Sequence, residues 1–106
     1  MIVDAKLKSS AMATYKGCEI EVVTDLEGVV YFRQRHIADV LGISRNALIN
    51  SIRDRLGCGV TVYFIVDHLN NSMNSTGFLT KHSLIELLEK RRSKKSKLLL
   101  AWVKRN

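Results

Sequence analysis

Residues 34–56, QRHIADVLGISRNALINSIRDRL, have the layout of two short helices joined by a tight turn, the helix-turn-helix that lays one helix in a DNA groove. His36 to Leu41 alternates apolar and polar residues on a helical period, Gly42 can take the left-handed conformation that ends a helix, and Ser44 is a natural N-cap for the next. Ala38 is small where the helices must approach. In the second helix Leu48, Ile52 and Leu56 recur every four residues, and Ile49 is expected to widen the same inner stripe. The opposite face presents Asn46, Ala47, Asn50 and Asp54, with Arg53 on its flank and Arg45 in the first turn. Asn pairs bidentately with adenine and Arg with guanine, and a small Ala lets a helix come close to base edges. Asp54 dissents, because a carboxylate repels phosphates.

On the N-terminal side of this unit, the first dozen residues have no clear period and read as a frayed terminus or a short edge strand, so residues 1–14 are set apart from a single domain spanning 15–106. Tyr15 to Thr24 reads as a strand with Cys18, Ile20 and Val22 on one side and Glu19 and Glu21 on the other. Asp25-Leu26-Glu27-Gly28 reads as a hairpin turn into a second strand, Val29 to Arg33. After Gly57-Cys58-Gly59 breaks the chain, Val60 to Val66 alternates like a strand with a buried face. The segment from Asp67 to Gly77 is dominated by Asn, Ser and Thr and reads as an exposed loop, with Phe78 and Leu79 as a short returning strand. Thr80 caps a third helix from Lys81 to about Arg92, striped by Leu84, Ile85, Leu87 and Leu88. A basic connector follows, and a last helix starts near Ser96 with Leu98, Leu99, Trp102 and Val103 on one side. The expected fold is α+β, a small antiparallel β-sheet carrying a helix-turn-helix and two C-terminal helices.

The chain has 106 residues, enough for one compact core and too few for two. Its formal charge of +7 is unevenly placed: residues 1–80 hold eight basic and eight acidic side chains, so the whole excess lies from Lys81 onward. Such a cluster attracts polyanions in a salt-dependent way, with nucleic acid first and an anionic membrane surface or acidic protein as competitors. Cys18 and Cys58 form no CxxC pair and stand at no metal-ligand spacing from His36, His68 or His82, so both are expected to be reduced thiols and no metal site is expected. The N-terminus has no apolar run of signal-peptide length, and Leu98 to Val103 is too short to span a bilayer, which points to a reducing compartment and no membrane partner. Asn70-Asn71-Ser72 and Asn74-Ser75-Thr76 match the glycosylation sequon but read as polar loop. No nucleophile elbow, P-loop, zincin motif or close carboxylate pair is present, so neither an enzyme nor a cofactor is expected.

The residues assigned to DNA are therefore Arg45, Asn46, Asn50 and Arg53 on the second helix, with Arg91, Arg92, Lys94, Lys95 and Lys97 of the tail on phosphates. For the tail a solvated basic surface, serving nuclear import, is an equal alternative. Trp102, Tyr15, Tyr31 and Tyr63 are read as packing residues, and His36 as a cap or surface side chain at the start of the first helix.

The order of motifs also resembles a known family. Tyr31-Phe32, then His36 to Gly42, Ala47 to Arg55, Gly77-Phe-Leu-Thr80, Leu84 to Leu88, Ser93-Lys-Lys and Ala101-Trp102-Val103 together are similar to the Bro-N domain, a relative of the KilA-N domain found in baculoviruses, insect poxviruses and phage antirepressors. The resemblance covers roughly residues 15–104. The family's aromatic before the first helix falls on Phe32, its small residue and glycine on Ala38 and Gly42, and its terminal tryptophan on Trp102. It implies a DNA-binding module of a large DNA virus or phage, acting in replication or transcription control inside the host nucleus or cytoplasm. Two alternatives stand beside it. One is an antirepressor-like protein-interaction or self-association module, including a homodimer spanning two half-sites, and the other an RNA or single-stranded DNA binder. The Asn- and Ser-rich segment between Phe64 and Phe78 departs from the family pattern.

Overall fold

A computed structural model describes the backbone of residues 2–3, 7–67 and 73–106, and the side chains of residues 11–63 and 76–106. Among the described residues the chain runs β1 (Ile2–Val3), β2 (Leu7–Tyr15), β3 (Cys18–Asp25), β4 (Val30–Arg33), α1 (Gln34–Leu41), α2 (Arg45–Leu56), β5 (Val62–Asp67), β6 (Met73–Thr80), α3 (Lys81–Arg91) and α4 (Lys94–Arg105). This is the expected α+β arrangement. The strands make one six-stranded sheet in the order β1-β5-β6-β4-β3-β2. It is antiparallel throughout except where β1 joins β5 in parallel.

Alternation along the strands divides the sheet into two faces. Val22, Phe32 and Leu79 lie side by side in register, and with Ile20 they face the helices. There they meet Ile37, Ala38 and Leu41 of α1, Leu48 and Ile52 of α2, Leu84, Leu87 and Leu88 of α3, and Leu99 and Val103 of α4. Trp102 packs at the margin of this core, its ring edge-on to Tyr15 at 5.5 Å and to Phe32 at 6.1 Å between centroids. The other face buries Val23 and Phe78 with Tyr31 and Val62. Cys18, expected on the inner side with Ile20, lies exposed at the start of β3, and both cysteines are free thiols.

Leu98, expected on the inner side of α4, is 44% exposed. Three further expectations from the sequence need correction. Residues 73–77 are strand and not loop: β6 pairs with β5 from Asp67↔Met73 to Val62↔Phe78. Strand formation depends more on a partner that accepts the backbone than on composition, and β5 supplies one. Asn74-Ser75-Thr76 therefore lies within β6, whereas His68 and the Asn70-Asn71-Ser72 sequon lie outside the described residues. Second, the expected basic connector shrinks to Arg92 and Ser93, since α4 begins at Lys94 with Ser93 as its cap. Arg92 adopts a left-handed conformation (φ 55°) to end α3, which lets two helices follow each other almost without a loop. Third, Ile49 does not join the inner stripe. It is 37% exposed on the outer side of α2, while Leu48 and Ile52 are buried.

Packing, and not backbone conformation, explains Gly77. A Cβ at Gly77 would stand 2.9 Å from Gln34 Oε1 and 3.3 Å from Thr61 Cγ2. The buried Gln34 side chain donates from Nε2 to Thr61 Oγ1 at 2.8 Å across that glycine, tying the first residue of α1 to the segment entering β5. The sheet thus fixes where α1 begins, and α1 in turn fixes α2.

Candidate nucleic-acid interface

The turn between α1 and α2 is closed by its own backbone. Gly42, at φ 70° and ψ 29°, donates to Asp39 O and Ile43 donates to Ala38 O, each at 3.1 Å, the paired bonds of a Schellman stop. Ser44 then starts α2, its Oγ accepting the Ala47 N–H at 3.1 Å. Replacing Ser44 by Ala leaves that N–H to solvent and is expected to cost about 0.5–2 kcal/mol of stability in urea denaturation, with Ser44→Asn close to the parent. Equal midpoints for Ala and the parent would mean that the cap does not hold the turn.

On α2, Leu48, Ser51 and Ile52 point inward and Arg45, Asn46, Ala47, Asn50, Arg53 and Asp54 are exposed. Asn46, Asn50 and Arg53 lie on the side opposite the buried residues, as the helical period requires. Asn50 and Arg53 are joined: the Arg53 guanidinium donates from Nη2 to Asn50 Oδ1 at 2.6 Å. Both side chains are exposed and keep further N–H groups beyond that bond, the donor chemistry that N7 and O6 of guanine accept. Ile49, expected to widen the inner stripe of Leu48, Ile52 and Leu56, instead adds an apolar surface beside Asn50 and Arg53.

The basic tail folds back onto this unit. Lys95 carries its ammonium to the α1–α2 turn, where a Cβ on Gly42 would lie 2.9 Å from Lys95 Nζ. Lys90 donates to Arg55 O at 3.0 Å, covering the carbonyl end of α2, and also pairs with Glu86 at 3.3 Å. Arg91 is placed differently from the expectation of a free phosphate ligand. Its Nη1 donates to the buried Ser51 Oγ at 3.0 Å, where Arg55 Nη1 also donates at 3.2 Å, and its Nε is buried without a partner. Arg91 is a strut between α2 and α3, and Ser51 is a joint that helical periodicity alone does not reveal. Arg92, Lys94, Lys95 and Lys97 are exposed, with Arg92 and Lys97 bordering an open groove of about 410 Å³ lined also by Leu88, Glu89 and Leu100.

All four described helices start without an acidic residue in the first turn, and each has a basic residue there. A helix N-terminus carries partial positive charge, so cations there oppose the macrodipole. The cost is greatest at α4, which opens on Lys94 and Lys95. Local stability would favour carboxylates at these positions, so the lysines of the first turn of α4 are not explained by helix stability.

His36 is structural. The backbone N–H of Glu21 donates to its Nδ1 at 2.9 Å, filling the position on β3 that β4 leaves as it turns into α1. Glu21 also pairs through Oε2 with Arg33 at 3.2 Å. Burial lowers the imidazole's proton affinity, and Arg33 lowers it further against the opposing pull of Glu21 and Asp39. The unfolded chain therefore takes up its proton at a higher pH than the folded one, so stability from this group is complete above about pH 6.5 and lost as pH falls through the lowered folded value. Urea midpoints should accordingly fall between pH 7.5 and pH 5.5 in the parent and less in His36→Gln, whose amide oxygen can accept the same N–H without titrating. Parallel pH profiles for the two proteins would remove His36 from this role.

Among the described residues no group of three His, Cys, Asp or Glu side chains gathers to hold a metal ion, and no helix is long and apolar enough to cross a membrane. No family model, curated protein or solved structure matches the chain, so the reading of this surface rests on its own geometry.

Proposed function

We propose that this chain is a Bro-N-like module that binds double-stranded DNA, with α2 in the major groove and the N-terminal turn of α4 on the flanking phosphates. It would serve replication or transcription control of a DNA virus or phage inside the host cell, without catalysis or a cofactor. The observation that carries the reading is the meeting of two segments half a chain apart: the Lys95 ammonium lies at the helix-turn-helix turn. One surface then carries both base-reading side chains and phosphate-seeking cations. Asn46, Asn50 and Arg53 meet base edges, Ala47 and Ile49 offer contact to a thymine methyl, and Arg45, Lys94, Lys95 and Lys97 hold phosphates. Arg91 supports the surface from behind. A single-strand binder would stack bases on exposed aromatic rings, whereas Tyr15 and Trp102 pack edge-on against each other.

Fluorescence polarisation of the chain with a duplex and a single strand of equal length, from low to physiological salt, tests the proposal. Salt-sensitive binding that favours the duplex is expected. Preference for the single strand, or no binding at low salt, would contradict it.

A further inference from the structure

We propose that the outer edge of β2 is a self-association site, at which residues 10–14 pair antiparallel with the same segment of a second copy. This deepens the homodimer alternative by giving it a surface, and it stands or falls without reference to DNA. The strand order puts β2 at one end of the sheet, and among the described residues it pairs only with β3. The opposite end is β1, described over Ile2–Val3 and joined to β5. β2 is nine residues long, and the two features in it that blunt an edge strand, the charge of Lys8 and a register irregularity, both lie before residue 10. Its one register irregularity falls between Leu7 and Ser9, leaving 10–14 regular, and the run Ser9-Ser10-Ala11-Met12-Ala13-Thr14 contains no charge and no proline.

The hairpin fixes which backbone groups are free. Lys16 and Gly17 form the two-residue turn, both left-handed at φ 47° and 79°, so Tyr15 and Cys18 are the hydrogen-bonded pair that closes it. Pairs alternate from there. Ala13/Ile20 and Ala11/Val22 exchange bonds with β3, and Ser10, Met12 and Thr14 direct their N–H and C=O groups away from the sheet. The side chains leave room for a neighbour. Ala11 and Ala13 are small, and Met12, 50% exposed, is flexible and unbranched.

A second copy fits this edge for two reasons. A two-fold axis normal to the sheet keeps each residue on the same face in both chains, so the strand meets itself with Ala11 and Ala13 on one face and Met12 on the other. The protein also carries +7 overall, and two copies repel unless they meet where charge is absent. Residues 9–14 provide that neutral stretch, and the cationic α4 is not part of it.

Sedimentation equilibrium of the DNA-free chain, from low micromolar to submillimolar concentration, tests the site with two variants. Met12→Pro removes an outward N–H and leaves the bonds to β3, while Met12→Lys puts a charge on the edge at an already half-exposed position and guards against misfolding of the first. The parent should dimerise reversibly, and each folded variant should dimerise at least about tenfold more weakly. Hydrogen exchange at the Met12 and Thr14 amides should slow as the parent's concentration rises. A parent that stays monomeric throughout, or a Met12→Lys variant that dimerises as tightly as the parent, would overturn the proposal. Because DNA is absent, neither outcome bears on the groove-binding reading.

Discussion

Arg53→Ala should weaken binding to the preferred duplex about 5- to 150-fold, the equivalent of roughly 1–3 kcal/mol for one bidentate base contact, and leave binding to mixed-sequence DNA nearly unchanged. Arg53 is exposed, and its guanidinium reaches across one helical turn to the Asn50 amide. Losing it should therefore shift stability by no more than about 0.5 kcal/mol, as for an ordinary surface change. Asn50→Ala should act in the same direction. The double variant should lose less than the two single losses combined, because each side chain orients the other and coupled neighbours do not add. Competition binding against a randomised duplex pool, with thermal unfolding as the control, separates these expectations. Equal loss on every sequence would assign Arg53 to phosphate and move the reading face elsewhere on α2.

Replacing Lys94, Lys95 and Lys97 together by Gln should act oppositely, weakening all DNA alike. Removing one phosphate ligand flattens the dependence of log K on log salt by about 0.9, so the slope should fall by about 2.7 and affinity at 0.1 M salt by a few hundred-fold, on the order expected from counterion release. The same variant should be slightly more stable to heat, by a few tenths of a kcal/mol per residue at about the low end of helix-dipole effects, because the cations cluster at the start of α4. Opposite signs for binding and stability distinguish a functional cation cluster from one that supports the fold. Arg91→Ala should show the other signature, losing stability along with binding, since its guanidinium is held at Ser51 between α2 and α3. A triple variant with an unchanged salt slope would return these lysines to a solvated surface.

The parts of this architecture that were legible in the sequence are those whose cause is local. Gly42 and Ser44 bound the turn through their own backbone preferences, Thr80 caps α3 by accepting the Ser83 N–H, and the α3 stripe of Leu84, Leu87 and Leu88 needs only the helical period. What was hidden depends on a partner far along the chain. β6 is polar over residues 74–76 and becomes a strand because β5 pairs with it. The start of α4 was displaced because Ser93 and Ser96 both have the chemistry of an N-cap. In the fold Ser93 accepts the Ser96 N–H, and Ser96 is buried in the third position of the helix. The site divided in the same way. The face of α2 could be drawn on a helical wheel, but Lys95 at the turn and Arg91 at Ser51 could not be, because packing between elements decides where a long cationic side chain from one helix meets another.

Amide chemical-shift mapping of the isotope-labelled chain, during titration with a short duplex at low salt, asks whether α2 and the start of α4 form one DNA-binding surface. If they do, the largest shifts fall between Ser44 and Asp54 and between Ser93 and Lys97, with the β2–β3 hairpin close to its free positions. Shifts concentrated on the sheet, or on α4 with α2 unmoved, would rule that shared surface out.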